Sequence, residues 1–191
     1  AGLSEKTLVL FTSDNGGLST AEGHPTSNLP LRCGKGWLYE GGVRVPLIVR
    51  WPGVAKPGSV VDAPVNSADF YPTALEAAGQ PARPSQHLDG ASIGPVLRGE
   101  QAGIRDTLYW HYPHYGNQGG SPSAALRQGD WKLITYFENG AAELYNLADD
   151  PGETRDLAPA ETTRVANMKQ RLTEIQAETG ARFPSPNPNG E

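Results

Sequence analysis

The stretch TLVLFTSDNGG, residues 7–17, sets a short apolar run directly before a carboxylate, an amide and two glycines. TLVLF predicts a strand buried on both faces, because its residues are β-compatible and turn formers bound it. Asp14 and Asn15 then deliver two hard oxygen donors to the carboxyl end of a sheet, where open α/β folds place their ligands. Gly16 and Gly17 let the chain turn sharply away. Hard oxygens suit Ca²⁺ or Mg²⁺, and the lack of His or Cys nearby argues against a zinc site made by this loop alone. Asp-Asn-Gly is also ordinary turn chemistry, so spacing alone leaves turn and metal site both open.

The next block, PTSNLPLRCGKGWLYEGGVRVPLIVRWPG, occupies residues 25–53. Lys35 stands between Gly34 and Gly36, so its ammonium can approach an anion without interference from flanking side chains. A lysine so placed acts as a point charge on a tetrahedral oxyanion. Glu40, Gly41, Gly42 and Arg44 predict a tight loop held by charges. Residues 45–51 form a second strand, with Pro46 favouring its start or a sheet edge. Residues 67–79, SADFYPTALEAAG, predict a helix capped by Ser67 or Asp69 and closed by Gly79. The Pro-rich span at residues 80–92 reads as a surface crossover.

Beyond Arg105 the runs TLYWHY, SAALR, WKLITYF and AELYNL alternate with Gly, Asn and Asp, and Asn139-Gly140 is a hairpin signal. They predict an antiparallel sheet. Val165, Met168, Leu172 and Ile175 share one face of a helix that Pro159 starts and Gly180 stops, and that face packs on the sheet. The expected fold class is therefore α/β, with a domain end at residues 1–103 followed by a smaller subdomain, an antiparallel sheet plus helix, at residues 104–191.

Composition narrows the function. The 191 residues carry a formal net charge of −5 with no Lys/Arg block, which excludes a basic nucleic-acid stripe. No apolar run approaches the roughly 18 residues of a membrane span. The single Cys33 excludes an internal disulfide and has no evident role. The opening AGLSEKTLVLF reads as the approach to an interior strand, so a fragment of a larger protein is expected.

FTSDNGG, the 25–53 block, DFYPTALEAAG, LRQGDWKLI and ELYNLADDPGE, five motifs in order, resemble the C-terminal portion of a type I sulfatase, of the arylsulfatase kind within the alkaline phosphatase superfamily. The resemblance runs from Thr7 to about Leu157. It implies the end of a sulfatase catalytic domain, in which Asp14 and Asn15 are ligands of a Ca²⁺ ion (Mg²⁺ in some members) and Lys35 contacts the substrate sulfate. Glu40 and Arg44 match the family's EGGxR stretch and are expected to hold the loop. The family's formylglycine nucleophile arises from a Cys/Ser-x-Pro-x-Arg motif, and no such motif occurs in these residues. It is expected upstream, along with the remaining metal ligands, so this chain alone is expected to be inactive.

The resemblance further implies a sulfate-ester small molecule or sulfated glycan as substrate, and a periplasmic or extracellular location. His111 and His114, in YWHYPHYG, are candidate substrate-binding residues, with packing histidines as the alternative. His24 is a weaker candidate. Asp149, Asp150 and Glu153 read as an acidic turn, since they lack a Ca²⁺-loop pattern. Two rivals remain at this point: a phosphoester or phosphonate monoester hydrolase of the same superfamily, and a noncatalytic binding module.

Overall fold

The computed structural model describes residues 2–20 and 25–185. In chain order the strands and helices are β1 (Val9–Thr12), α1 (Glu40–Val43), β2 (Leu47–Arg50), α2 (Phe70–Ala77), α3 (Gly94–Leu97), β3 (Thr107–Tyr112), β4 (Ser123–Gln128), β5 (Trp131–Tyr136), β6 (Ala142–Asn146) and α4 (Thr162–Glu178). The chain divides into two compact units. One holds the stretch through Thr12 and Pro46–Asp106; the other holds Ser13–Val45 and the part from Thr107.

In the first unit β1 and β2 pair antiparallel as a two-stranded ribbon, Phe11 opposite Ile48 and Val9 opposite Arg50. The expectation that residues 7–11 are buried on both faces does not hold. Phe11 is 62% and Ile48 63% exposed, because a two-stranded ribbon has one face that no other described layer covers. Residues 67–69 form a 3₁₀ turn, capped by Asn66 rather than Ser67, that leads into α2, whose N-cap position is Asp69, the other candidate. Asn66 Oδ1 accepts from the Ala68 N–H (3.0 Å), while Asp69 Oδ2 accepts from the Asn66 N–H (2.8 Å). This reciprocal pair satisfies donors that a helix start leaves free. Gly79 follows α2 at φ +64°, the left-handed stop read from the sequence.

The second unit carries the expected antiparallel sheet, in the order β3-β4-β5-β6. Side chains alternate across a sheet, so each strand serves two layers. Ala124, Leu126, Leu133 and Leu144 face α4 and pack on Met168, Leu172 and Ile175, the stripe that the spacing predicted. Ala125, Ile134 and Tyr145 face the other way and pack with Tyr39 and Leu147. The sheet is thus filled between α4 and the 13–45 segment. α4 begins at Thr162, three positions after Pro159, and ends before Gly180 at φ +61°.

Candidate active site

Everything in the site belongs to the second unit and is built from backbone contacts. The Asp-Asn-Gly-Gly loop docks on the Glu-Gly-Gly turn through the Gly16 N–H, which donates to the Gly42 carbonyl (2.9 Å). A methyl group on Gly16 would collide with the Gly41 carbonyl, and one on Gly34 would collide with the Gly17 carbonyl. The glycines that look like turn formers in the sequence are therefore places where two backbones touch. The Lys35 N–H donates to the Gly17 carbonyl (3.2 Å), joining the lysine turn to the same loop.

Asn28 fastens this junction, and sequence reading missed it. Its Oδ1 accepts from the Gly17 N–H (2.9 Å), and its Nδ2 donates to the carbonyls of Gly17 (2.8 Å) and Cys33 (2.9 Å). One amide side chain thereby fixes the strand-end loop against the turn that carries Lys35. Cys33 sits in that turn at φ +57°, and burial pushes its thiol pKa up. A thiol so shifted is a poor nucleophile.

Asp14 is exposed, while the Asn15 Nδ2 donates to the Gly16 carbonyl (3.0 Å) and so leaves Oδ1 free of its own loop. These two oxygens are the right chemistry for a hard divalent cation. Among the described residues, no group of three or more His, Cys, Asp or Glu side chains is placed to hold a metal ion. The pair therefore fits as part of a ligand set, since Ca²⁺ takes about 6–8 oxygens.

The two histidines part company. His111 is paired with Ala124, which places it on the α4 side of the sheet, opposite the 13–45 segment. There it packs on Phe137 and Phe183 at 5.3 and 5.5 Å, and its Nε2 contacts the Arg182 carbonyl at 2.8 Å. These are the contacts of a packing histidine, and the structure does not bring His111 to Lys35. His114 is exposed and meets Tyr112 edge-on at 5.6 Å. Farther along the same loop, Gly119 lies against the Trp37 ring, and the Gln118 carbonyl accepts from Thr20 Oγ1 (2.9 Å). That loop borders the lysine turn. His24 lies outside the described residues.

Beneath the Glu-Gly-Gly turn lies a buried ion cluster. Lys132 Nζ stands 2.9 Å from Glu40 Oε1 and 2.9 Å from Glu153 Oε1, and all three side chains are at most 2% exposed. Glu153 Oε2 accepts from the Glu40 N–H at 2.6 Å. Glu40 does hold the loop, but mainly through Lys132; Arg44 lies 3.8 Å from its other oxygen. Glu153 is no solvated turn residue, in contrast to Asp150, which accepts from the N–H groups of Thr154 (2.8 Å) and Arg155 (2.9 Å). Lys132 was legible in principle, because a two-residue period puts a lysine on the apolar face of Ile134. Beside this cluster Glu143 Oε2 accepts from Tyr39 (2.7 Å) and Tyr145 (2.8 Å). Burial, with these hydrogen bonds, holds both phenols well above their ordinary pKa.

Comparison with known proteins gives a consistent picture. The family described as N-sulphoglucosamine sulphohydrolase, C-terminal, matches residues 33–178. A sulfatase of Formosa agariphila is 46% identical over 82% of this chain and 29% of its own length. Human arylsulfatase A is 34% identical over 92% of this chain and 38% of its own. The crystal structure of i-CgsB in complex with k-i-k-neocarrahexaose superposes with a TM-score of 0.74 at 30% identity, covering 90% of this chain and 37% of that one. The chain thus spans about a third of the length of the proteins it matches. No helix among the described residues is long and apolar enough to cross a membrane.

Proposed function

The chain belongs to the sulfatase family, as its C-terminal region, and on that premise we propose that the complete protein is a sulfuric ester hydrolase whose sulfate is held by Lys35. The observation that carries this reading is the docking of the Asp14-Asn15 loop onto the Lys35 turn through Gly17 and Asn28, and onto the adjoining Glu-Gly-Gly turn through Gly16. Two oxygen donors and one ammonium are thereby set on a common backbone frame. Asp14 and Asn15 would hold the cation, Ca²⁺ with Mg²⁺ as the alternative. A cation held there would supply Lewis-acid neutralisation of the sulfate oxygens.

Lys35 places its positive charge on the same anion, and its glycine neighbours keep the approach open. His114, on the loop bordering that turn, contacts the organic part of the substrate. A sulfated oligosaccharide is the proposed class, supported by the carbohydrate in the i-CgsB structure. The nucleophile, a formylglycine in this proposal, comes from the part of the protein upstream of this chain. Without it, and with two metal ligands only, the isolated chain turns over nothing. A periplasmic or extracellular location is part of the same proposal.

The test is Lys35→Ala in the complete protein, assayed on an aryl sulfate and on sulfated oligosaccharides with Ca²⁺ present. We expect kcat/KM to fall by about 10²-fold or more, the loss typical of one charge-stabilising donor. A full-rate mutant would leave the chain a noncatalytic module. Preferential turnover of a phosphate or phosphonate monoester by the wild type would move the protein to phosphoryl chemistry.

A further inference from the structure

The Asp-Asp-Pro-Gly-Glu turn takes no part in the site as described, yet it carries an unusual backbone. Glu153 has φ +52°, and with Cys33 at +57° it is one of the two non-glycine residues of positive φ among those described. A residue with a side chain stays in that region only where its surroundings hold it there. Glu153 belongs to a hydrogen-bonded circuit that runs through Arg32, the residue before Cys33. The Glu153 carbonyl accepts from Arg32 Nη1 (2.9 Å), and the Arg32 carbonyl accepts from the Gly41 N–H (2.9 Å). The Glu153 carboxylate accepts from the Glu40 N–H (2.6 Å) and, through Lys132, grips the Glu40 side chain as well. One residue therefore holds both the entry of the Glu-Gly-Gly turn and the strand of chain beneath it.

From that turn the circuit reaches the site in one step. The Gly42 carbonyl receives the Gly16 N–H, next to Asn15, and the Gly17 carbonyl receives the Lys35 N–H. Packing alone would be served by an apolar side chain, whereas a wholly buried carboxylate is costly unless its hydrogen bonds are needed. We propose that Glu153 is a positioning residue: acting through Glu40 and the Gly41-Gly42 turn, it sets the Asp14-Asn15 loop against Lys35. What the positioned groups do rests on the sulfatase reading; the mechanical coupling rests on the hydrogen bonds and the Lys132 ion pairs alone.

The experiment uses the complete protein with Glu153→Ala, Glu153→Asp and Glu153→Gln. Amide hydrogen exchange reads local opening at Gly16, Lys35 and Gly41 against the amides of β4 and β5. Glu153→Ala is expected to speed exchange at those three amides by about tenfold and to raise the KM for a sulfate ester by about the same factor, as for other supports of a binding site. The β4 and β5 amides stay protected. Glu153→Asp, whose carboxylate is one methylene short of the Glu40 N–H, shows the same local pattern if the alanine variant fails to fold. Glu153→Gln keeps one acceptor for the Glu40 N–H but turns its amide donors toward Lys132, so its exchange and KM fall between those of the wild type and the alanine variant. Unchanged exchange at Gly16 and Lys35 in the alanine or aspartate variant overturns the proposal, as does faster exchange spread evenly over the sheet. A wild-type protein with no sulfate-ester turnover sinks the sulfatase reading instead, and the exchange data still decide the coupling.

Discussion

Two buried carboxylates, one in each unit, are held in opposite ways. Asp69 is fully buried and pairs with Arg105, while the N–H groups of Ala91 (2.9 Å) and Asn66 (2.8 Å) complete its shell. Burial works against its ionisation, but the bonds from Arg105, Ala91 and Asn66 outweigh it and hold the carboxyl below the usual range. Glu153 shares the single Lys132 with Glu40. There burial wins against the pull of Lys132 and the Glu40 N–H, and the Glu153 carboxyl is raised. Burial alone thus does not decide a carboxylate's state; the ratio of opposite charges and donors around it does.

Lys132→Met should break the comparison hardest, because it removes the ammonium from between two buried carboxylates and leaves Glu40 only the more distant Arg44. We expect a loss of about 3–5 kcal/mol in the complete protein, seen as a lower urea midpoint or as failure to accumulate. Arg105→Met should cost less, about 2–3 kcal/mol, since the two backbone donors still serve Asp69. Equal losses in the two variants would show that the local charge count is not what matters.

The pH dependence sharpens the contrast, because the two groups contribute with opposite sign. Asp69 has a lowered pKa, so its stabilisation is present above the ordinary carboxyl value and disappears as pH falls through the folded value. Glu153 has a raised pKa, so its contribution is present below the ordinary value and fades as pH rises through the folded one. Urea midpoints between about pH 3 and pH 7, which bracket ordinary carboxyl values, should show this. Asp69→Asn should flatten the acid limb, and Glu153→Gln should remove the decline toward neutral pH. The smallest effect belongs to Cys33→Gly, which relieves a left-handed residue beside the apolar layer of Tyr39, Ile134 and Tyr145 while loosening the unfolded chain. Its unfolding free energy, read from the urea midpoint, should change by no more than ~1 kcal/mol, and rise if the backbone effect wins.

Local patterns carried much of this molecule into view. The four-strand meander follows from β-branched and aromatic runs punctuated by turn formers, and α4 follows from the spacing of Val165, Met168, Leu172 and Ile175. Lys35 and the Asp14-Asn15 pair stood out because charged and amide groups flanked by glycines are chemically conspicuous. Asn28 was hidden, since an Asn in a Pro-containing loop looks like any turn residue until its three backbone partners are known. His111 shows the opposite case: the sequence left substrate binding and packing both open, and strand register put the ring on the α4 face, away from the Lys35 turn.

By itself, then, the sequence determined the antiparallel sheet and the helix packed on it and singled out Asp14, Asn15 and Lys35 as candidates, because periodicity, turn chemistry and glycine placement act over a few residues. Tertiary structure alone decided that Glu40, Lys132 and Glu153 form one cluster and that two glycine pairs interlock. The bonds of the cluster join residues 92 and 113 positions apart. No periodic pattern reaches that far, and a buried carboxylate looks the same as a solvated one until the chain has closed around it.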